Sequence, residues 1–199
     1  DNRIYDRNLK KGEVRGEFSG KFDDRWVFTN RNTGLQYEVA QTLAAASRVL
    51  RGYRDDLAAE CLATAKKLWD YEQSRAPVYA RSGYSPHDSG FRSQEIAATA
   101  ELFLTTGDAI YQRRLLELLP TIRAITPEQF GDGPGWTLVR VLAKVDNAEF
   151  QSAVKKLAAS WKAVADKRAA SNPYGVRYPD EVSNPSWKLE TRSHIHSGF

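Results

Sequence analysis

The sequence predicts an all-α protein built from helical hairpins in the layout of a helical toroid. Apolar residues recur at spacings of three and four along six segments, no segment sustains the alternation of a half-buried strand, and each pair of helices is joined by a turn of nearly constant length. Residues 1–34 read as an irregular arm, rich in charge and glycine, with one apolar patch at Phe22, Trp26, Val27 and Phe28. Residues 35–199 read as the helical part.

The first helix runs from Leu35 with Val39, Leu43, Ala46 and Leu50 on one face, and Gly52 stops it. Asp55 or Asp56 is placed to cap a second helix through Leu57, Cys61, Ala65 and Leu68, because a carboxylate accepts the unpaired amide hydrogens of a first turn. Pro77, Gly83, Pro86 and Gly90 then punctuate a loop. A third helix carries Ile96, Ala100 and Phe103 and ends at Gly107; a fourth, capped by Asp108, carries Tyr111, Leu115, Leu118 and Ile122. Pro127, Gly131, Gly133, Pro134 and Gly135 mark a second long loop. The fifth helix holds Leu138, Val141, Leu142 and Val145, and Asp146 with Glu149 suggests a capping box for the sixth, whose stripe is Phe150, Val154, Leu157, Trp161 and Val164. Trp69, Trp161 and Cys61 fall on helical apolar stripes and are expected in the core.

From Leu50 to Leu57, Leu104 to Tyr111 and Leu142 to Phe150 the turns span seven, seven and eight residues, whereas the hairpins repeat at the uneven intervals of 54 and 38. A solenoid needs a constant repeat, so the variable loops between hairpins point to a toroid with short turns on one rim and long loops on the other. After Ser171 the chain reads as a loop, Asn-Pro-Tyr-Gly-Val-Arg-Tyr-Pro, and turns helical again from Trp187. With no methionine anywhere and Phe199 inside an unfinished seventh helix, it is expected to be a processed chain or a piece of a longer one.

Composition narrows the function. The 199 residues include 29 Lys and Arg against 25 Asp and Glu, interspersed along the chain, so no basic block suggests a nucleic-acid groove. No apolar run approaches the roughly 18 residues of a membrane span. With one cysteine there is no internal disulfide and no CxxC knuckle. GxSxG, P-loop and dinucleotide fingerprints do not occur. Trp26, Tyr84, Tyr174, Tyr178 and Trp187 sit in irregular or boundary segments, where a flat ring with a polar tip can stack on a sugar or plug the end of a core. His87, beside Asp88, is placed to bind substrate or to cap a turn; His194 and His196 lack the i, i+4 spacing of a helical metal pair.

Several stretches in order resemble glycoside hydrolase family nine, the inverting cellulases with an (α/α)6 toroid. They are Asp23 to Thr29, the helix pair Ala44 to Trp69, the alanine-rich run Ala97 to Asp108 ending in Thr-Gly-Asp before Tyr111, and the Asn-Pro-Tyr-Gly-Val loop at Asn172 to Val176. The resemblance implies a fragment of a β-glucan hydrolase domain, secreted or periplasmic, whose partners are a glucan chain and the remainder of the catalytic domain. It implies substrate contacts at Trp26, His87, Tyr174, Trp187 and Arg192, and a calcium site from Ser89, Gly90, Glu95 and Asp132, with Gln94 standing where the family has an aspartate and the spacing one residue longer. The family's aspartate base lies in an Asp-Ala-Gly-Asp-like loop and its glutamate acid on a late helix; neither motif is in this sequence, so the chain alone is expected to be inactive. An expectation from another class is a non-catalytic helical carbohydrate-binding or scaffold module that closes on itself.

Overall fold

A computed structural model describes residues 31–78 and 91–171 together with Gly175. The chain divides into two compact units, Asp1–Arg31 and Asn32–Phe199. Every described helix belongs to the second unit, and among the described residues the structure is helical throughout, without strands.

Helix α1 spans Thr33–Leu50, and Asn32 caps it by accepting the Leu35 amide at 3.2 Å. A short turn through Gly52 (φ +81°) leads to α2, Asp55–Gln73. Asp55 and Asp56 sit in its first turn without capping it from outside: Asp55 Oδ1 accepts the Gly52 amide at 2.8 Å, and Arg54 holds the Asp56 carboxyl below the usual carboxylate range. Helix α3, Arg92–Thr106, ends at Gly107, whose φ of +73° lets its amide reach the Phe103 carbonyl at 2.8 Å.

The expected fourth helix is two. Helix α4 covers Ala109–Glu117 and α5 covers Leu119–Arg123, because Pro120 has no amide hydrogen to continue the α4 ladder. The stripe survives the break, with Tyr111, Leu115, Leu118 and Ile122 all buried. The second long loop contains a further helix, α6, Pro127–Asp132, closed by a reciprocal capping box: Thr126 Oγ1 accepts the Gln129 amide at 3.3 Å, and Gln129 Oε1 accepts the Thr126 amide at 3.1 Å. Helix α7 follows at Gly135–Val141 and α8 at Ala148–Ala170. The cap of α8 is Asn147, one residue beyond Asp146; its side chain accepts the Phe150 amide at 2.9 Å.

Within this unit the first helices of the three hairpins lie side by side, α1 on α3 and α3 on α7, and each is backed by its partner: α1 by α2, α3 by α4, α7 by α8. This is the two-layer arrangement of part of an (α/α)6 toroid. Helix α3 occupies the centre and is buried on all sides from Glu95 to Phe103.

The stripe of α1 is rotated by a residue from its expected face, and that of α2 keeps Cys61 and Ala65 but shifts at its ends. Helix α1 buries Thr33, Tyr37, Ala40, Ala44 and Ser47, leaving Val39 40% exposed, and α2 buries Ala58, Cys61, Ala65, Trp69 and Glu72 in place of Leu57 and Leu68. The reason is packing distance: Ala40 and Ala44 present almost no side chain, so α1 can approach α2 and α3 closely, and larger residues are pushed to the flanks. Trp69 is buried as expected, with its indole nitrogen donating to Thr99 Oγ1 at 2.9 Å and its ring edge-on to Tyr111 at 4.9 Å.

Two glycines are placed to separate conformational from steric cost. A Cβ on Gly107 would meet nothing within 4 Å, so Gly107→Ala pays only for the left-handed backbone, about 1–2 kcal/mol. A Cβ on Gly135 would lie 2.2 Å from the Phe130 carbonyl oxygen, so Gly135→Ala must move backbone and costs more, about 2–3 kcal/mol. Urea unfolding midpoints, at unchanged slope, are expected to fall in that order.

Candidate functional site

The ends of α2 and the starts of α1, α3 and α7 share the rim from which the long connections leave. A buried polar cluster stands there. At its centre Glu95, in the first turn of α3, is 1% exposed. Its Oε1 accepts Gln73 Nε2 at 2.9 Å and two guanidinium nitrogens of Arg114, Nε at 3.0 Å and Nη2 at 2.6 Å. Its Oε2 accepts Arg92 Nη1 at 2.6 Å. Gln73 also donates to the Tyr37 hydroxyl at 2.8 Å, and the Tyr37 ring stacks on Phe91 at 6.0 Å. One carboxylate therefore ties α2, α3 and α4 directly and α1 through Gln73. Beside it, buried Glu72 accepts the Thr33 hydroxyl at 2.7 Å, and Thr33 Oγ1 accepts the Val78 amide at 2.9 Å, holding the chain as it leaves α2.

A second buried acid lies nearly two turns further along α3. Glu101 is clamped by Arg48 of α1 and by Arg140 of α7, the latter at 2.7 Å, so it joins the three helices of one layer sideways. Neither acid was visible as a hub in the sequence, where Glu101 sits inside an alanine-rich run with no signal beyond its type.

Above the Glu95 cluster a groove of about 340 Å3 opens between α2 and α4, floored by Trp69 and Gln73 and edged by Asp70, Arg113 and Glu117. Tyr111 lies against Trp69, and burial, aided by the charges of Asp70 and Asp108, pushes its hydroxyl up to about 12. Burial and the Glu95 charge raise Tyr37 as well.

Of the residues expected to act, Trp26, His87, Ser89, Gly90, Tyr174, Trp187 and Arg192 lie outside the described residues. Glu95 and Asp132 are described and belong to one neighbourhood: a Cβ on Gly133, next to Asp132, would sit 3.7 Å from Ser93 in the first turn of α3. Asp132 itself is exposed, and both Glu95 oxygens already accept from cationic side chains. Among the described residues no three His, Cys, Asp or Glu side chains converge, and Ser89 and Gly90 of the expected calcium set lie outside those residues. The exposed aromatics among the described residues are Tyr53, Tyr71 and Trp136, the last 43% exposed at the start of α7; Trp136 carries no signal in the sequence because it falls at a helix boundary within a glycine-rich stretch.

Paired helices in two layers, with tight turns at one rim and long connections gathered at the other, define a protein of the (α/α) toroid class. Residues 14–187 match the model of Glycosyl hydrolase family 9, and the chain belongs to that family. No curated protein matches the chain significantly. Membership makes a carbohydrate the expected substrate in general terms.

The raised Tyr111 hydroxyl has a pH consequence. The folded state favours the neutral phenol, so this stabilisation is complete below the unfolded value near 10 and is lost as pH rises through the folded value of about 12. Thermal midpoints should fall across that window, and Tyr111→Phe should flatten part of the fall. In the same core, Thr99→Val leaves the Trp69 indole N–H without an acceptor and should cost about 1–3 kcal/mol in urea unfolding.

Proposed function

We propose that this chain is part of the catalytic domain of an inverting β-glucan hydrolase, cellulose-like in substrate, that supplies cleft wall and sugar platforms while the catalytic carboxylates come from chain outside it. The observation that carries the proposal is the family match over residues 14–187, on a two-layer helical arc. Inversion requires two carboxyl groups about 6.5–9.5 Å apart, one activating water and one protonating the leaving oxygen. The buried acids described here favour structural work instead: Glu95 and Glu101 each bond two guanidinium groups, and Glu72 accepts from Thr33. Action on an extracellular polymer would place the protein outside the cell; no helix among the described residues is long and apolar enough to cross a membrane.

Along α1, Leu35, Val39 and Val49 are 55, 40 and 74% exposed on one face, and Tyr53 beyond it is 86% exposed. Such a face supports an arc that packs against more of the ring over a self-contained binding module. The sugar contacts proposed are those of the resemblance, Trp26, His87, Tyr174, Trp187 and Arg192, joined by Trp136, whose exposed ring stands on the long-loop rim.

The chain alone is expected to release no reducing sugar from soluble β-glucan; turnover that survives rigorous purification would show that the catalytic groups are present after all. Glucan oligosaccharides should change the tryptophan fluorescence, and Trp136→Ala should weaken that binding about threefold to tenfold. An unchanged spectrum with every oligosaccharide removes the sugar platforms.

A further inference from the structure

We infer that Arg92 and Arg114, and not a divalent cation, neutralise Glu95. A carboxylate this deeply buried costs several kcal/mol unless it is paired and its oxygens accept hydrogen bonds. The family resemblance implies calcium as the counter-charge at this position. In this chain the charge arrives covalently. Arg92 reaches Glu95 from its own helical turn, and Arg114 reaches it from α4 through two nitrogens of one planar guanidinium, the geometry that Lys cannot reproduce. Arg114 also bonds Glu117 at 2.8 Å.

Glu95, Glu117, Arg92 and Arg114 together sum to zero, so these four paired side chains leave no net negative charge among themselves to draw a calcium ion. An ion at the usual distance of about 2.3–2.6 Å from Glu95 Oε1 would have to displace Arg114 and Gln73, and would then face two guanidinium groups. The preceding residue tells the same story. Gln94 stands where the resemblance implies an aspartate, and its buried Oε1 has no hydrogen-bond partner among the described residues, so this turn offers a neutral oxygen where a second carboxylate would be needed to outweigh the arginines. Two features of charge thus agree: position 94 carries no anion, and two cations bond Glu95. The start of α3 would then keep its position whatever the calcium concentration around the protein.

The inference concerns the rim of the fold and is independent of the substrate assigned above. Thermal unfolding of the full chain in calcium chloride and in EDTA tests it, alongside Glu95→Gln, Arg92→Gln and Arg114→Gln. Arg114→Gln should lower the midpoint by about 5–10 °C and Arg92→Gln, whose side chain is half exposed, by less. Coincident wild-type midpoints in the two media support the inference, as does a calcium shift that Glu95→Gln retains, since the ion then binds elsewhere. A wild-type calcium shift abolished by Glu95→Gln overturns it, and so does an Arg114→Gln variant as stable as wild type. Should Arg114→Gln fail to fold, the Arg92→Gln and Glu95→Gln comparisons decide by the same criteria.

Discussion

The structure depends on how α3 tolerates complete burial while carrying two ionised side chains. Its faces meet helices on every side, and Ile96, Ala98, Ala100 and Leu102 are fully removed from solvent. Glu95 and Glu101 sit in the same interior, where an uncompensated carboxylate would cost more than most single core contacts return. Each is compensated by two arginines, both from other helices for Glu101 and one from α4 and one from α3 itself for Glu95, and the two acids reach in different directions. Glu95 reaches outward to Gln73 and Arg114 on α2 and α4, across the two layers; Glu101 reaches sideways to Arg48 and Arg140 on α1 and α7, within one layer. Apolar stripes set which faces of the helices meet, and the directional bonds to these acids tie the same helices together at particular points along them.

That arrangement explains why the long loops share a rim. Short turns after α1 and α3 reverse the chain at one end, so the termini of the hairpins return together at the other, and the Glu95 cluster holds those termini in place. Thr33 and Glu72 close the same end by fastening the segment at Val78. The connection between α5 and α7 adds to this frame, since α6 packs on α8 and places Phe130 in the core.

Several elements were legible before the fold was known. The all-helical class, the three hairpins, Gly107 as a helix end, the buried stripe of α4–α5 and the first half of that of α8 follow from spacing and from local chemistry that act over four residues or fewer; further along α8, Trp161 and Val164 are only half-buried and Ala165 is buried instead. The stripes of α1 and α2 were displaced because the sequence shows where large apolar residues recur, whereas the structure buries the small ones that let helices approach. Pro120 was a visible break inside a continuous stripe, and the stripe hid it. The Thr126–Gln129 capping box was written in the sequence within a loop that glycine and proline seemed to own.

By itself the sequence determined which segments coil, where the tight turns fall and which family the chain belongs to, because those properties rest on nearest neighbours or on ordered motifs. Only the tertiary structure decided what the charged residues do. Glu95 and Arg114 are 19 positions apart, Arg48 and Glu101 are 53, and nothing local distinguishes these acids and bases from the many that face water. Their role appears when packing removes the solvent between them, since an ion pair becomes a structural requirement only where water can no longer replace either partner.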